Sequence, residues 1–394
     1  MSLLFSCPAK AFRPARRILA GLLAFVLLAL PLLACTGCAA RPERCTSVWY
    51  DLFDTVTTVV CYTSSDDEWN AQMQALHADL LELHRLFDIY HHYDGMVNLY
   101  DLNQTAAAGP VAVDERLFQL LEFSAALYEK TGGKTNIALG PVLSLWHDAR
   151  EAALDGMVRN HLDAVRLPDP DALAAAAQHC SIDGLILDPA AQTVYYADPQ
   201  LQLDVGAVAK GYAAELAAQA AEARGLTCAL LSLGGNLRAI GEKPDGTPWT
   251  GGLENPLDTS ADFLCTVPLQ TGESLVTSGD YQRYYEVDGV RYHHLIDPDT
   301  LYPANFFHAV CVLTDDSALA DGFSTALFCT GLEDGMRLVE ETPGLEAAWV
   351  LADGSVQYSA GFAARAEVEV DAADTHKGPM PMPFCSIVLP FVRR

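Results

Sequence analysis

The stretch from Val276 to Pro303, VTSGDYQRYYEVDGVRYHHLIDPDTLYP, limits the fold more than any other part of the chain. Tyr284-Tyr285-Glu286-Val287 and Val290-Arg291-Tyr292-His293 flank Asp288-Gly289, and Asp-Gly between two such runs is a strong hairpin signal. A hairpin holds its ends firmly, so His294 and Asp297, just past the second arm, are fixed where a site can use them. On such a scaffold, exposed polar groups are either decoration or chemistry, and the rest of the chain decides which.

Elsewhere the pattern alternates between strands and helices. Trp49–Tyr62 is rich in Val and Thr and predicts one strand. Ser65-Asp66-Asp67-Glu68 is a capping box, and Met73, Leu76, Leu80, Leu83 and Phe87 follow at helical spacing. A second helix is expected over Asp114–Lys130, with a Gly132-Gly133 stop, and Leu139–Trp146 reads as an apolar segment broken at Gly140-Pro141. Asp169–His179 reads as an Ala-rich helix. Gly184–Leu187, Thr193–Ala197 and Leu201–Val205 read as short strands, and a helix over Val208–Arg224 then stops at Gly225. Cys228–Leu233 is an expected strand, Ser317–Cys329 and Leu332–Glu341 are helices, and Ala347–Leu351 pairs with Val356–Tyr358 around Asp353-Gly354. Antiparallel pairs interrupted by helices indicate an α+β fold, with antiparallel sheets and packed helices, rather than a doubly wound one.

The N-terminus carries a different signal. Lys10, Arg13, Arg16 and Arg17 precede an apolar run, Ile18–Ala34, which is the order of a secretory leader. The run ends Leu32-Leu33-Ala34-Cys35, which resembles a bacterial lipobox. Residues 1–34 are therefore read as a lipoprotein signal peptide, Cys35 as the lipidated residue and 35–47 as a tether. The body spans 48–365, and 366–394 form a tail of no assigned role. An uncleaved anchor helix is the alternative, since the run sits at the short limit for spanning a bilayer; either way the body lies on the extracytoplasmic side. The formal net charge of −27 repels nucleic acid and anionic headgroups, so neither is an expected partner. The cysteines are scattered without a recurring CxxC pair, which excludes zinc and redox motifs, and few or no disulfides are expected.

Three groups of residues can carry chemistry. Asp204-Val205-Gly206-Ala207-Val208-Ala209-Lys210-Gly211 stands at a strand-to-helix junction, where glycines admit a ligand to the backbone and unpaired N–H groups favour an anion. It is not a Walker loop, and packing alone can also require its glycines. In Ala320-Asp321-Gly322-Phe323-Ser324-Thr325, a carboxylate and a hydroxyl share one helix face at i and i+4. Hard oxygen donors of that kind suit Mg²⁺, although a solvated Asp and a back-bonded Thr have the same spacing. His294 has the titration range of a general base, although a packed histidine looks the same in sequence. Together these are parts for displacement at a phosphoryl centre.

LDVGAVAKGY, LSLGGN, SGDYQRYYEVDGVRYHHLIDPDTLYPA and ADGFSTALF, in that order, resemble the signature blocks of the FAD:protein FMN transferases, the ApbE family; the resemblance runs from about Phe53 to Phe362. It implies a T-fold-related body with an FAD cleft between two lobes. It also implies Mg²⁺ held by Asp321, Thr325 and the Ala207 carbonyl, and FAD lined by Asp204, Lys210 and the Leu295 region. His294 matches the histidine that activates the acceptor. Phe53 falls where many members have Met in Met-Gly-Thr, and Tyr90 where an aromatic stacks near the flavin. Lys134-Thr135-Asn136 stands where many have Ala-Phe-Asp, so its part in FAD binding departs from the pattern. The implied reaction moves FMN from FAD to a Thr or Ser hydroxyl and releases AMP. The implied acceptors are exported domains of Rnf-type or sodium-pumping NADH:quinone reductase complexes, or similar flavinylated carriers. An FAD pyrophosphatase or a non-catalytic flavin-binding lipoprotein would carry much of the same sequence.

Overall fold

The structure is a computed structural model that describes residues 42–159, 165–258 and 263–367. The leader, Cys35 and residues 368–394 of the tail lie outside the described residues. Among the described residues, no helix is long and apolar enough to cross a membrane.

The centre is an eight-stranded sheet in which every neighbouring pair is antiparallel. Its order is β1 (Glu43–Leu52), β2 (Thr55–Thr63), β6 (Ala229–Leu233), β7 (Asn236–Ile240), β10 (Ser274–Gly279), β13 (Phe307–Thr314), β14 (Glu346–Leu351) and β15 (Val356–Tyr358). Three small sheets surround it: β3 (Val111–Ala112) with β5 (Thr193–Tyr196) and β4 (Leu185–Asp188); β8 (Trp249–Leu253) with β9 (Cys265–Leu269); and the hairpin β11 (Tyr284–Val287) with β12 (Val290–His293). The α+β reading holds.

On one face of the large sheet lie α1 (Asp66–Phe87), α3 (Glu115–Lys130), α6 (Ala209–Ala223) and α7 (Ser317–Phe328), which build the main core. The five apolar positions at helical spacing in α1 are all buried, and the Ser65 hydroxyl caps it by accepting from the Glu68 N–H at 3.2 Å. The opposite face carries β8, β9 and α9 (Ala360–Arg365) over a second core around Trp249, Leu275 and Phe362. A third cluster, with Trp146, Leu173, Tyr285 and Ile296, joins α4 (Gly140–Arg159) and α5 (Pro170–Ala176) to the hairpin. The remaining helices are α2 (Leu99–Thr105) and α8 (Leu332–Glu340).

The structure corrects several sequence expectations. Trp49–Tyr62 is two strands, because Phe53 and Asp54 both take left-handed backbone (φ 51° and 50°) and form a two-residue turn without glycine. β1 starts at Glu43, inside the span read as a tether, so residues 43–47 belong to the body. Gly140-Pro141 opens α4 rather than breaking a segment, since a proline in the first turn needs no donor. Leu201–Val205 keeps the expected alternating burial but joins no sheet. Instead Asn103 brackets Leu203, accepting from its N–H and donating to its carbonyl, both at 2.9 Å. At the other end the body extends to Glu367, which exchanges two backbone hydrogen bonds with Thr266.

Candidate active site

The site forms where α6 and α7 begin. Asp316 caps α7 by accepting from the N–H groups of Ala318 and Leu319. One turn in, Asp321 is buried at 3 % exposure, directly against α6. Its Oδ2 accepts from the Gly211 N–H at 2.8 Å, and Lys210 Nζ stands 3.3 Å from Oδ1. A side chain at residue 211 has no room: a Cβ would lie 2.2 Å from the Ser317 carbonyl oxygen. Gly211 thus lets the two helices touch at the carboxylate.

That contact has a second effect. In a regular helix the Gly211 N–H would donate to the Ala207 carbonyl, four residues back. Here it is turned to Asp321, and no donor to the Ala207 carbonyl is found among the described hydrogen bonds. Thr325, on the same face as Asp321 one turn later, likewise has no partner for its hydroxyl among the described residues. The set is therefore a buried carboxylate, a hydroxyl and a carbonyl, all hard oxygens, and it fits a Mg²⁺ ion that also leans on substrate oxygens. No group of three or more His, Cys, Asp or Glu among the described residues could hold a metal by itself.

His294 follows β12, and its N–H donates to the Arg283 carbonyl at 3.1 Å. Its side chain is exposed, with Arg283, Lys210 and Arg150 near enough to act on its charge. Desolvation there, followed by Arg283, His293, Lys210 and Arg150, holds its pKa well below the ordinary 6.5. The imidazole is thus neutral at pH 7. His293 points the other way: it is buried, with Nε2 2.8 Å from the Ala304 carbonyl and Nδ1 accepting from the Leu295 N–H at 3.2 Å. Successive residues of an extended segment point to opposite sides, which separates the two rings.

Asp204 is half-buried, and its Oδ1 accepts from the Gly206 N–H at 2.8 Å, shaping the turn into α6. Desolvation raises its pKa, against the Gly206 bond and the charges of His147, Arg283 and Lys210. Tyr90, 48 % exposed, lies 5.1 Å from the His147 ring; desolvation and then Asp204 push its phenol up to about 12. Tyr90, Asp204, Lys210 and His294 thus share one electrostatic neighbourhood.

Three basic side chains there carried no signal in the sequence reading: His147, Arg150 and Arg283. His147 and Arg150 lie on one face of α4 at i and i+3, with Arg150 Nη2 3.3 Å from His147 Nδ1. That spacing, and an arginine inside the hairpin unit, were the available clues. Phe53 reaches the rim differently. Its N–H donates to His84 Nδ1 at 3.1 Å, and the next carbonyl, that of Asp54, accepts from Arg283 at 3.0 Å.

The remaining candidates have their polar groups engaged within the protein. Lys134 pairs with Asp297 at 2.7 Å and Asp299 at 2.9 Å. The Thr135 hydroxyl donates to the Gly322 carbonyl at 2.7 Å. Asn136 caps a 3-10 turn and donates to the Cys180 carbonyl at 3.1 Å. These bonds brace Asp297 and α7 from behind. Leu295 is buried in the main core, with its N–H and carbonyl both bonded.

Residues 53–349 match the ApbE family model. The chain belongs to the ApbE family. A FAD:protein FMN transferase of Treponema pallidum (strain Nichols) is 37 % identical over 281 residues, covering 68 % of this chain and 74 % of that protein. One of Klebsiella pneumoniae (strain 342) is 30 % identical over 274 residues, covering 68 % and 81 %. Among solved structures, the ApbE protein of Thermotoga maritima superposes with a TM-score of 0.71 at 27 % identity, covering 82 % of this chain and 99 % of that one. The flavin transferase ApbE of Vibrio cholerae, at 23 % identity, shares the fold with a TM-score of 0.68, covering 82 % and 99 %.

Proposed function

We infer that this ApbE-family chain is an enzyme that transfers the FMN part of FAD to a protein hydroxyl. Family membership and relatives named FAD:protein FMN transferase support the reaction. The observation that carries the site is the Gly211–Asp321 contact, which leaves the Ala207 carbonyl without its helical partner beside a buried carboxylate.

In this reading a Thr or Ser oxygen of the acceptor attacks the FMN phosphorus. The new P–O bond forms as the pyrophosphate P–O bond breaks, and AMP departs with the bridging oxygen. His294, neutral at pH 7, takes the hydroxyl proton. Asp321, Thr325 and the Ala207 carbonyl would hold Mg²⁺, which when bound offsets charge on the pyrophosphate. Lys210 adds a positive charge beside them, and Tyr90 over His147 offers an aromatic wall to the flavin. Lipid anchoring at Cys35 would place the body at the outer face of the cell membrane. Exported flavoprotein domains of Rnf-type or sodium-pumping NADH:quinone reductases are the acceptors of choice.

The test is incubation of the protein with FAD, Mg²⁺ and a threonine-bearing acceptor domain, followed by separation of free from protein-linked flavin. Flavin that stays with denatured acceptor supports transfer. Free FMN and AMP alone would make the chain an FAD pyrophosphatase, and unchanged FAD would leave only a flavin-binding protein.

A further inference from the structure

Arg283 differs from the other cations around the cleft. Lys210 is paired with Asp321, Arg150 with Glu151, and Lys134 with Asp297. The Arg283 guanidinium makes one hydrogen bond, to the Asp54 carbonyl, and no ion pair among the described residues. A guanidinium has five donors in a fixed fork that matches phosphate oxygens, so most of its capacity is unspent.

Its placement is also set from two sides. The Arg283 carbonyl accepts from the His294 N–H, while its side chain reaches the turn between β1 and β2. That turn is held in left-handed backbone at Phe53 and Asp54 and fastened to α1 through His84. One residue therefore connects the backbone of the proposed base to a strained turn on the rim. Its charge reaches Tyr90, Asp204 and His294, groups that come from three separate segments.

We propose that Arg283 is the anion-holding residue of the cleft, fixed by the Asp54 carbonyl so that its free donors take phosphate oxygens of the dinucleotide beside His294. This rests on the reading that the cleft binds FAD. It makes Arg283 a determinant of binding for the diphosphate rather than for the flavin ring.

The test compares binding of FAD and of riboflavin, which has no phosphate, by flavin fluorescence in the full chain. Arg283→Met keeps the aliphatic stem and removes the charge. It is expected to weaken FAD binding roughly 10- to 100-fold, the span for losing a charge-assisted hydrogen bond, with riboflavin binding unchanged. Unaltered FAD binding, or an equal loss for both ligands, overturns the proposal; the latter would mean that Arg283 only braces the turn. Arg283→Gln keeps one N–H donor for the Asp54 carbonyl and decides the matter by the same comparison if the Met variant does not fold. Failure of the unaltered protein to bind FAD would instead refute the reading of the cleft, and the proposal with it.

Discussion

The Gly211 N–H donates to Asp321 Oδ2 at 2.8 Å, and a Cβ at residue 211 would lie 2.4 Å from Asp321 Cβ. Both the Ser317 carbonyl and Asp321 Cβ are parts of α7 close to its backbone, so neither can swing aside. Gly211→Ala must therefore push α6 and α7 apart. It should cost about 1–3 kcal/mol of stability, as overpacking does, and lower transfer more than stability alone explains. Urea midpoints and transfer rates check this; a variant like wild type in both would contradict the contact.

Lys210 aside, the carboxylate, hydroxyl and carbonyl of the proposed metal set have no cation of their own. Asp321→Asn and Thr325→Ala should each raise the Mg²⁺ concentration needed for half-maximal transfer, Asp321→Asn the more. Chelation by EDTA should stop transfer and added Mg²⁺ should restore it. Transfer that is indifferent to EDTA would remove the metal from the account.

His294 works as a base only when neutral, and its surroundings hold its pKa below 6.5. The acid limb of kcat/KM should therefore fall below pH 6.5, with little change between 6.5 and 7.5 from this group. A limb centred above 6.5 would contradict the environment described. The sign for stability is the same. The pKa of the buried His293 is also depressed, by desolvation first, so the unfolded chain binds the proton more readily. The stability it contributes is complete above 6.5 and is lost as pH falls from there through the folded-state value.

Behind the site, Arg238 and Glu215 form a buried two-bond pair, Nε to Oε2 and Nη2 to Oε1, each 2.9 Å, and Oε2 also accepts from the Ser317 N–H at 3.0 Å. This ties β7 and α6 to the first residue of α7. Glu215→Ala leaves a buried guanidinium with much of its pairing gone and should cost roughly 3–5 kcal/mol, whereas Glu215→Leu with Arg238→Met should recover most of it. Thermal unfolding of the single and double variants measures the difference. A single variant as stable as wild type would show that the pair carries no weight.

Parts of this were legible in the chain because local chemistry dictates them. Asp288-Gly289 made its hairpin, with Asp288 and Gly289 at positive φ, and the i, i+4 spacing put Asp321 and Thr325 on one face. The Phe53-Asp54 turn was not legible, since Asp tolerates left-handed backbone but Phe does not favour it; tertiary bonds from His84 and Arg283 hold it there. Leu201–Val205 has a strand's alternation, but its partner is an asparagine side chain from a distant helix. The Gly206–Lys210 junction was readable as a place where backbone approaches something. That the something includes Asp321 follows only from packing α6 on α7. His147, Arg150 and Arg283 are single basic residues spread over 137 positions of sequence, and only the fold gathers them.

The most direct measurement is the intact mass of a threonine-bearing acceptor domain after incubation with FAD, Mg²⁺ and each form of the protein. The account predicts an acceptor heavier by one FMN with the unaltered protein, and no adduct with Asp321→Ala or His294→Ala. An adduct formed equally well by both variants would contradict it, because the chemistry would then lie outside the site built by Asp321, Thr325, Ala207 and His294.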